Sequence, residues 1–244
     1  SLSAEQIRQL ANRYTGVGFD QLLLVEPPRQ ADVDFSYRIF NADGGEVAQC
    51  GNGARCFAAF VRAKGMTDKT SIRVSTQSGI LQLVVQADGQ VQVDMGRPDF
   101  VPAHIPFNVP TQQQRYPIAI DGQEIELGVV SMGNPHAVQL VDNVDSAPIA
   151  SLGPILETHA AFPERVNAGF MQIMDRGHIR LRVYERGAGA CAAVVIGQHW
   201  GLLDESVEVE LHGGKLLIQR AGNDDNVLMT GTATHVYDGH LADR

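Results

Sequence analysis

Apolar and polar positions alternate through most of this chain, and three short runs with helical spacing interrupt them. Ile7, Leu10 and Ala11 share one face of a helix predicted over Ala4 to Arg13, closed by the Gly16-Val17-Gly18 turn. Ala54, Phe57, Ala58 and Val61 repeat that spacing, and Cys191 to Trp200 forms the third run. Between them, strands are predicted at Phe35 to Phe40, Ser71 to Ser75, Ile80 to Gln86 and Val91 to Met95, with Asp88-Gly89 as a hairpin turn. Five prolines between Arg97 and Pro117 mark a connector. The pattern then returns: strands are predicted at Glu124 to Val130, Ala137 to Val141, Ala168 to Met174, Ile179 to Tyr184, Val207 to Leu211, Lys215 to Arg220 and Val227 to Met229. Gly213-Gly214 makes another hairpin turn there, and the Cys191 helix is the one helix expected in this half.

The two halves match in one further respect. Gly53-Ala54-Arg55-Cys56 and Gly189-Ala190-Cys191-Ala192 each bring glycine, alanine and cysteine to the start of an apolar helix, and Gly65-Met66 and Gly201-Leu202 follow the two helices. With the shared hairpins, this points to two similar lobes of strands around one helix each. No strand–helix alternation of a doubly wound sheet appears, and no G-x-G-x-x-G or P-loop follows a strand, so nucleotide cofactors lack support.

The 244 residues are 44% hydrophobic, enough for a sizeable core. A formal net charge of -9 without a Lys/Arg cluster argues against nucleic acid or an anionic membrane as partner. No apolar run is long enough to span a bilayer. Cysteines at 50, 56 and 191 form no disulfide framework, suit a reducing cytoplasm, and lack the paired Cys/His spacing of a zinc site, so no metal is expected.

The densest chemistry lies at Cys50-Gly51-Asn52-Gly53, a glycine-rich turn running into the second helix. Backbone N–H groups left over at a helix N-terminus favour an anion, and the same field lowers the pKa of a thiol placed there. The turn therefore reads as a reactive thiol on an exposed loop, against the plainer reading of a buried structural cysteine. Elsewhere, the residues by themselves permit ordinary roles. Asn41, Asn134 and Asn167 suit turns, Glu185 and Arg186 a solvated ion pair, and His136 a half-buried hydrogen-bonded site.

Five motifs in order change that balance: Gly16-Val17-Gly18-Phe19-Asp20-Gln21; Phe40-Asn41-Ala42-Asp43-Gly44 running into Cys50-Gly51-Asn52-Gly53; Gly133-Asn134-Pro135-His136; Glu164-Arg165-Val166-Asn167-Ala168-Gly169-Phe170; and Tyr184-Glu185-Arg186-Gly187-Ala188-Gly189. The chain resembles the diaminopimelate epimerase family over nearly its whole length. The resemblance implies an α+β fold of two pseudo-symmetric lobes, each a curved, mostly antiparallel sheet or barrel around a central helix, with the active site in the cleft between them. Residues 1–96 would form the first lobe, 97–231 the second, and the tail 232–244 would return to the first. It also implies a cytoplasmic, cofactor-independent isomerase acting on a small molecule, without pyridoxal phosphate, and it allows a homodimer. The reaction would convert LL- to meso-diaminopimelate for lysine and peptidoglycan precursors.

By that resemblance Cys50 is an acid/base thiol, with His136 and Glu185 in support, and Gln21, Asn41, Gly51, Asn52, Asn134, Asn167, Glu185 and Arg186 bind substrate. Inverting an α-carbon requires a base on one face and an acid on the other, a task two thiols can share. Here the chain departs from the family. The N-terminal strand with its Gly-Asn-Asp-Phe motif is missing before Ser1, and the loop carrying a second Cys-Gly-x-Gly is missing between Gly189 and Ala190. Cys191 then reads as the counterpart of Cys56, a helix residue and not the second catalytic thiol. If that loop is truly absent, a non-catalytic substrate-binding homologue is the alternative, with a related amino-acid racemase as another; Arg186 and the asparagines favour a substrate with a second polar end. Ser1-Leu2-Ser3 includes neither an initiator Met nor a signal-type segment. The intact protein is accordingly expected to be heavier than 26.4 kDa, and intact mass spectrometry giving that value would refute the expectation.

Overall fold

The structure is a computed structural model describing residues 2–47, 50–77, 79–184 and 189–241. The chain divides into two compact units, residues 1–93 with 231–244, and residues 94–230.

The first unit opens with α1 (Ala4–Ala11), which begins at a capping box: Ser3 accepts from the Gln6 N–H, and the Gln6 side chain accepts from the Ser3 N–H. It ends short of Arg13 because the Asn12 side chain takes the N–H groups of Tyr14 and Thr15 and turns the chain. The remaining elements are β1 (Gln21–Glu26), β2 (Phe35–Asn41), β3 (Glu46–Val47), α2 (Gly51–Ala63), β4 (Ser71–Thr76), β5 (Gly79–Val85) and β6 (Val91–Asp94). They form the order β1-β2-β4-β5-β6, with β3 added to β2 at Ile39 and Phe40. All these pairs are antiparallel except β2–β4, which α2 connects as a crossover. Gly89, at φ +84°, makes the β5–β6 turn that the sequence pattern predicts. Phe57 of α2 holds the helix to the sheet, stacked on Tyr37 with ring centroids 4.8 Å apart and edge-on to Phe35 at 5.8 Å.

The second unit contains β7 (Tyr116–Ile120), β8 (Gln123–Ser131), β9 (Pro135–Leu140), α3 (Ile149–Glu157), β10 (Asn167–Asp175), β11 (His178–Tyr184), α4 (Gly189–His199), β12 (Ser206–Leu211), β13 (Gly214–Gln219) and β14 (Leu228–Gly231). The strands run in the order β7-β8-β9-β10-β11-β12-β13-β14, antiparallel except at β9–β10 and β11–β12. Helix α4 touches strands from β8 through β13, and its first nine residues are all buried. Helix α3 packs on β10 and β11. A separate cluster, built on Phe107, Tyr116, Leu127, Leu156, Phe162 and Phe170, fills the space around α3 and the connector. Phe107 stacks on Phe162 at 4.6 Å within it.

A common topology underlies the two units. Hairpin β1-β2, crossover α2 and meander β4-β5-β6 recur as hairpin β10-β11, crossover α4 and meander β12-β13-β14. The α+β class with one central helix per sheet is thus observed, although among the described residues no pairing closes either sheet into a barrel.

Several expectations need correction. Cys191 stands two places after Gly189, as Arg55 stands two places after Gly53, and each follows a Gly-Ala pair. The counterpart of Cys191 is therefore Arg55 and not Cys56. The connector ends before Tyr116, since Pro117 lies in β7, whose edge position needs no N–H from that residue. Helix α3 went unpredicted because Gly153-Pro154 interrupts it and no side chain caps it. Strand β1 went unpredicted because Leu22, Leu23, Leu24 and Val25 run without alternation, which matches their uniform half-burial.

Packing of α4 depends on an absent side chain. A Cβ at Gly128 of β8 would lie 2.3 Å from Ile196 Cγ2 and 2.8 Å from Trp200 Cζ2, closer than atoms can approach. Gly128→Ala is expected to destabilise the protein by about 1–3 kcal/mol in urea unfolding, the range for overpacking. Gly213→Ala, where a Cβ meets nothing within 4 Å, should stay within about 0.5 kcal/mol of the parent.

Candidate active site

In the first unit, the site is built where β2 ends and α2 begins. Gln21 and Asn41 are register partners at the ends of β1 and β2, and Gln21 Nε2 donates to Asn41 Oδ1 at 3.1 Å. Asn41's oxygen is thereby engaged, which leaves its NH2 group to face another acceptor. Cys50 is the N-cap of α2, in extended backbone at φ -151°, and its Sγ accepts from the Gly53 N–H at 3.4 Å. Its carbonyl accepts from the Ala54 N–H at 2.9 Å. The first turn carries no acidic side chain, and among the described residues the N–H groups of Gly51 and Asn52 have no acceptor.

Cys50 is 8% exposed, which corrects the expectation of an exposed thiol. Capping turns the sulfur inward onto the helix end, and among the described residues of this turn Asn52 stands in the open. Asn52 itself accepts at Oδ1 from Arg55 Nη2, 2.9 Å away. Tyr37 adds a buried phenol whose hydroxyl has no hydrogen-bond partner among the described residues. Burial first, and then the nearby charge of Cys50, push its ionisation well above the ordinary phenol range, so it stays a neutral donor. Sequence reasoning overlooked both Tyr37 and Arg55. For Tyr37 a signal existed, since residues i and i+4 of a strand share a face and Asn41 lies four places on.

In the second unit, a Gly133-Asn134 turn joins β8 to β9 and places His136 at 1% exposure, deeper than the half-buried site expected. His136 Nε2 and Asn134 Oδ1 are 2.9 Å apart. A carbonyl oxygen only accepts, so Nε2 carries the hydrogen. Burial pushes the imidazole down to about 3, which keeps it neutral at pH 7. Asn167, the register partner of His136 across the parallel β9–β10 pair, donates from Nδ2 to the Pro135 carbonyl at 2.9 Å. The structure thus joins Gln21 with Asn41, Cys50 with Gly51 and Asn52, and His136 with Asn134 and Asn167. Glu185 and Arg186 lie outside the described residues. Among the described residues no group of three or more His, Cys, Asp or Glu side chains could hold a metal ion, and no helix is long and apolar enough to cross a membrane.

This architecture is similar to that of solved structures of a hydroxyproline epimerase and a probable proline racemase. A hydroxyproline epimerase from Agrobacterium vitis superimposes with a TM-score of 0.69 at 17% identity, over 93% of this chain and 77% of that one. A probable proline racemase from Agrobacterium radiobacter gives a TM-score of 0.70 at 16% identity, over 96% and 81%. At such identity the likeness establishes the fold alone. The sequence narrows it further: the diaminopimelate epimerase family model matches residues 1–101 and 128–236. The diaminopimelate epimerase of Ectopseudomonas mendocina is 56% identical over 96% of this chain and 88% of its own length. That of Chromobacterium violaceum is 56% identical over 99% and 90%. The chain belongs to the diaminopimelate epimerase family, a family of isomerases.

The neutral, buried His136 has a consequence for stability. Unfolding returns it to the ordinary value of 6.5, so below that pH the unfolded state binds a proton that the folded state refuses until about pH 3. Stability attributable to this group is therefore intact above 6.5 and is lost as the pH falls. Between pH 6 and 4 the parent should lose about 1.4 kcal/mol per pH unit more than His136→Gln in urea unfolding. Parallel pH dependences for the two proteins would contradict the burial argument.

Proposed function

We propose that this protein converts LL-diaminopimelate to meso-diaminopimelate in the cytoplasm, as a step toward lysine and peptidoglycan precursors, with side chains alone as acid and base. The observation that carries the reading is Cys50 at the N-terminus of α2, its sulfur on the Gly53 N–H. A thiolate removing an α-proton creates charge at the substrate's carboxylate, and oriented backbone N–H groups and the helix dipole stabilise that charge as it develops. Gly51 and Asn52 supply those groups. In this reading the amide groups of Gln21, Asn41, Asn134 and Asn167 recognise the polar ends of the zwitterion, and His136 acts in support as a neutral donor that sets Asn134. Glu185 holds an ammonium group, and Arg186 clamps a carboxylate through its planar fork. A homodimer is compatible with these roles.

A second reading rests on Cys191. Gly189 leads directly into α4, and Cys191 is 0% exposed, so it is not the second thiol that a two-base inversion needs. A homologue that binds diaminopimelate without inverting it is the alternative. Inversion of the LL isomer, followed with α-proton exchange into deuterated water, separates the two. Binding without exchange would favour the second reading.

The cysteines give the sharper test. Cys50→Ala should lower turnover and α-proton exchange by on the order of a hundredfold or more, the contribution of a general acid–base group. Cys191→Ala should cost only about 1 kcal/mol of stability and leave exchange largely intact, as a packing change does. Exchange lost in a folded Cys191→Ala but kept in Cys50→Ala would reverse the assignment.

A further inference from the structure

Arg55 is the residue that packing does least to explain. It is 8% exposed on an otherwise apolar helix face, beside Ala54 at 0% and Ala58 at 0%. The equivalent helical position in the second unit is filled by the small Cys191, at 0% exposure. The repeated topology therefore accommodates a small apolar group at this place, whereas Arg55 requires hydrogen-bond partners for a buried cation. Two of them are informative. Its Nη2 donates to Asn52 Oδ1 at 2.9 Å, and its Nε donates to the Thr232 carbonyl at 3.4 Å.

An asparagine amide has one accepting end and one donating end, and the two are nearly alike in shape. Whichever end is engaged decides what the other offers. A guanidinium has donors only, so Arg55 can bind the oxygen of Asn52 and not its nitrogen. The NH2 group of the exposed Asn52 is then the end left open in the first turn of α2, one residue on from Gly51, and the wrong orientation would set an oxygen lone pair there against an incoming carboxylate. The Thr232 carbonyl steadies the guanidinium from a segment that is remote in sequence and belongs to the same unit.

We propose that Arg55 is a positioning residue for carboxylate recognition: it locks the Asn52 amide with its NH2 group toward the substrate. The proposal rests on the reading that a diaminopimelate carboxylate binds at the N-terminus of α2. It assigns Asn52 the role of donor, and it makes Arg55 act through Asn52.

The test uses the full chain and steady-state kinetics on LL-diaminopimelate, with thermal unfolding of every variant in parallel. Arg55→Met keeps the apolar stem and removes the donors, and it should lower kcat/KM by roughly ten- to hundredfold, the value of a hydrogen bond to a charged group. Arg55→Lys should recover part of the loss. In an Asn52→Ala background, Arg55→Met should cost less than about threefold more, because the group it positions is gone. Should Arg55→Met fail to fold, Asn52→Asp still decides the orientation: it keeps an oxygen for Arg55 but exchanges the NH2 group for a second oxygen, and kcat/KM should fall at least as far as in Asn52→Ala. A full and independent Arg55→Met loss in the Asn52→Ala background, or near-parental kcat/KM in Asn52→Asp, would overturn the proposal. A parent protein that neither exchanges nor inverts the substrate would overturn the underlying reading, and the proposal with it.

Discussion

A helix packed against its own sheet must satisfy its buried backbone from within, and its first turn cannot do so. Both units face this constraint, because each packs its sheet on the helix of a strand–helix–strand crossover. In the second unit nine successive residues of α4 are buried. In the first, the helix start receives a sulfur and a carbonyl from Cys50, and the N–H groups of Gly51 and Asn52 go unmet among the described residues. The unmet donors that make a helix start costly to bury also make it suitable for an anion. Architecture and chemistry here follow from one physical fact.

The same constraint governs the polar residues around the two helices. Among the described residues, the asparagines proposed for substrate recognition each have one end engaged by protein: Asn41 by Gln21, Asn52 by Arg55, Asn134 by His136, and Asn167 by the Pro135 carbonyl. Each amide is thereby oriented before any ligand arrives, and preorganised dipoles need no rearrangement when charge develops. Burial of His136 serves this end as well, since a neutral imidazole donates one hydrogen bond in a fixed direction without adding charge.

Repetition of the topology allows the two units to be read against each other. Where the helices correspond, Arg55 and Cys191 occupy one place, and the substitution of a small group for a long cation marks a position whose identity the fold leaves open. Residues that the fold does constrain behave differently. Gly128 is fixed by the approach of Ile196 and Trp200, and Phe57 by the rings of Tyr37 and Phe35.

Local information in the sequence was sufficient for most of the elements. Alternation located the strands of both meanders, and Asp88-Gly89 and Gly213-Gly214 located turns between them, because side-chain period and backbone φ are properties of neighbouring residues. The turn at Cys50 and the five motifs also identified the candidate site and the family from short stretches of chain. Other features depended on distant partners. Strand β1 has no alternation to detect, α3 forms around a proline because Phe107, Phe162 and Phe170 pack beside it, and Pro117 is tolerated only because β7 lies at an edge. The sequence by itself determined where chain segments could be helix, strand or turn and which side chains could act as acids, bases and amide ligands. Only the tertiary structure decided that Cys50 is buried with its sulfur on the helix end, that His136 is neutral, and which ends of Asn41, Asn52 and Asn134 the protein engages, since burial and hydrogen-bond direction are set by tertiary packing.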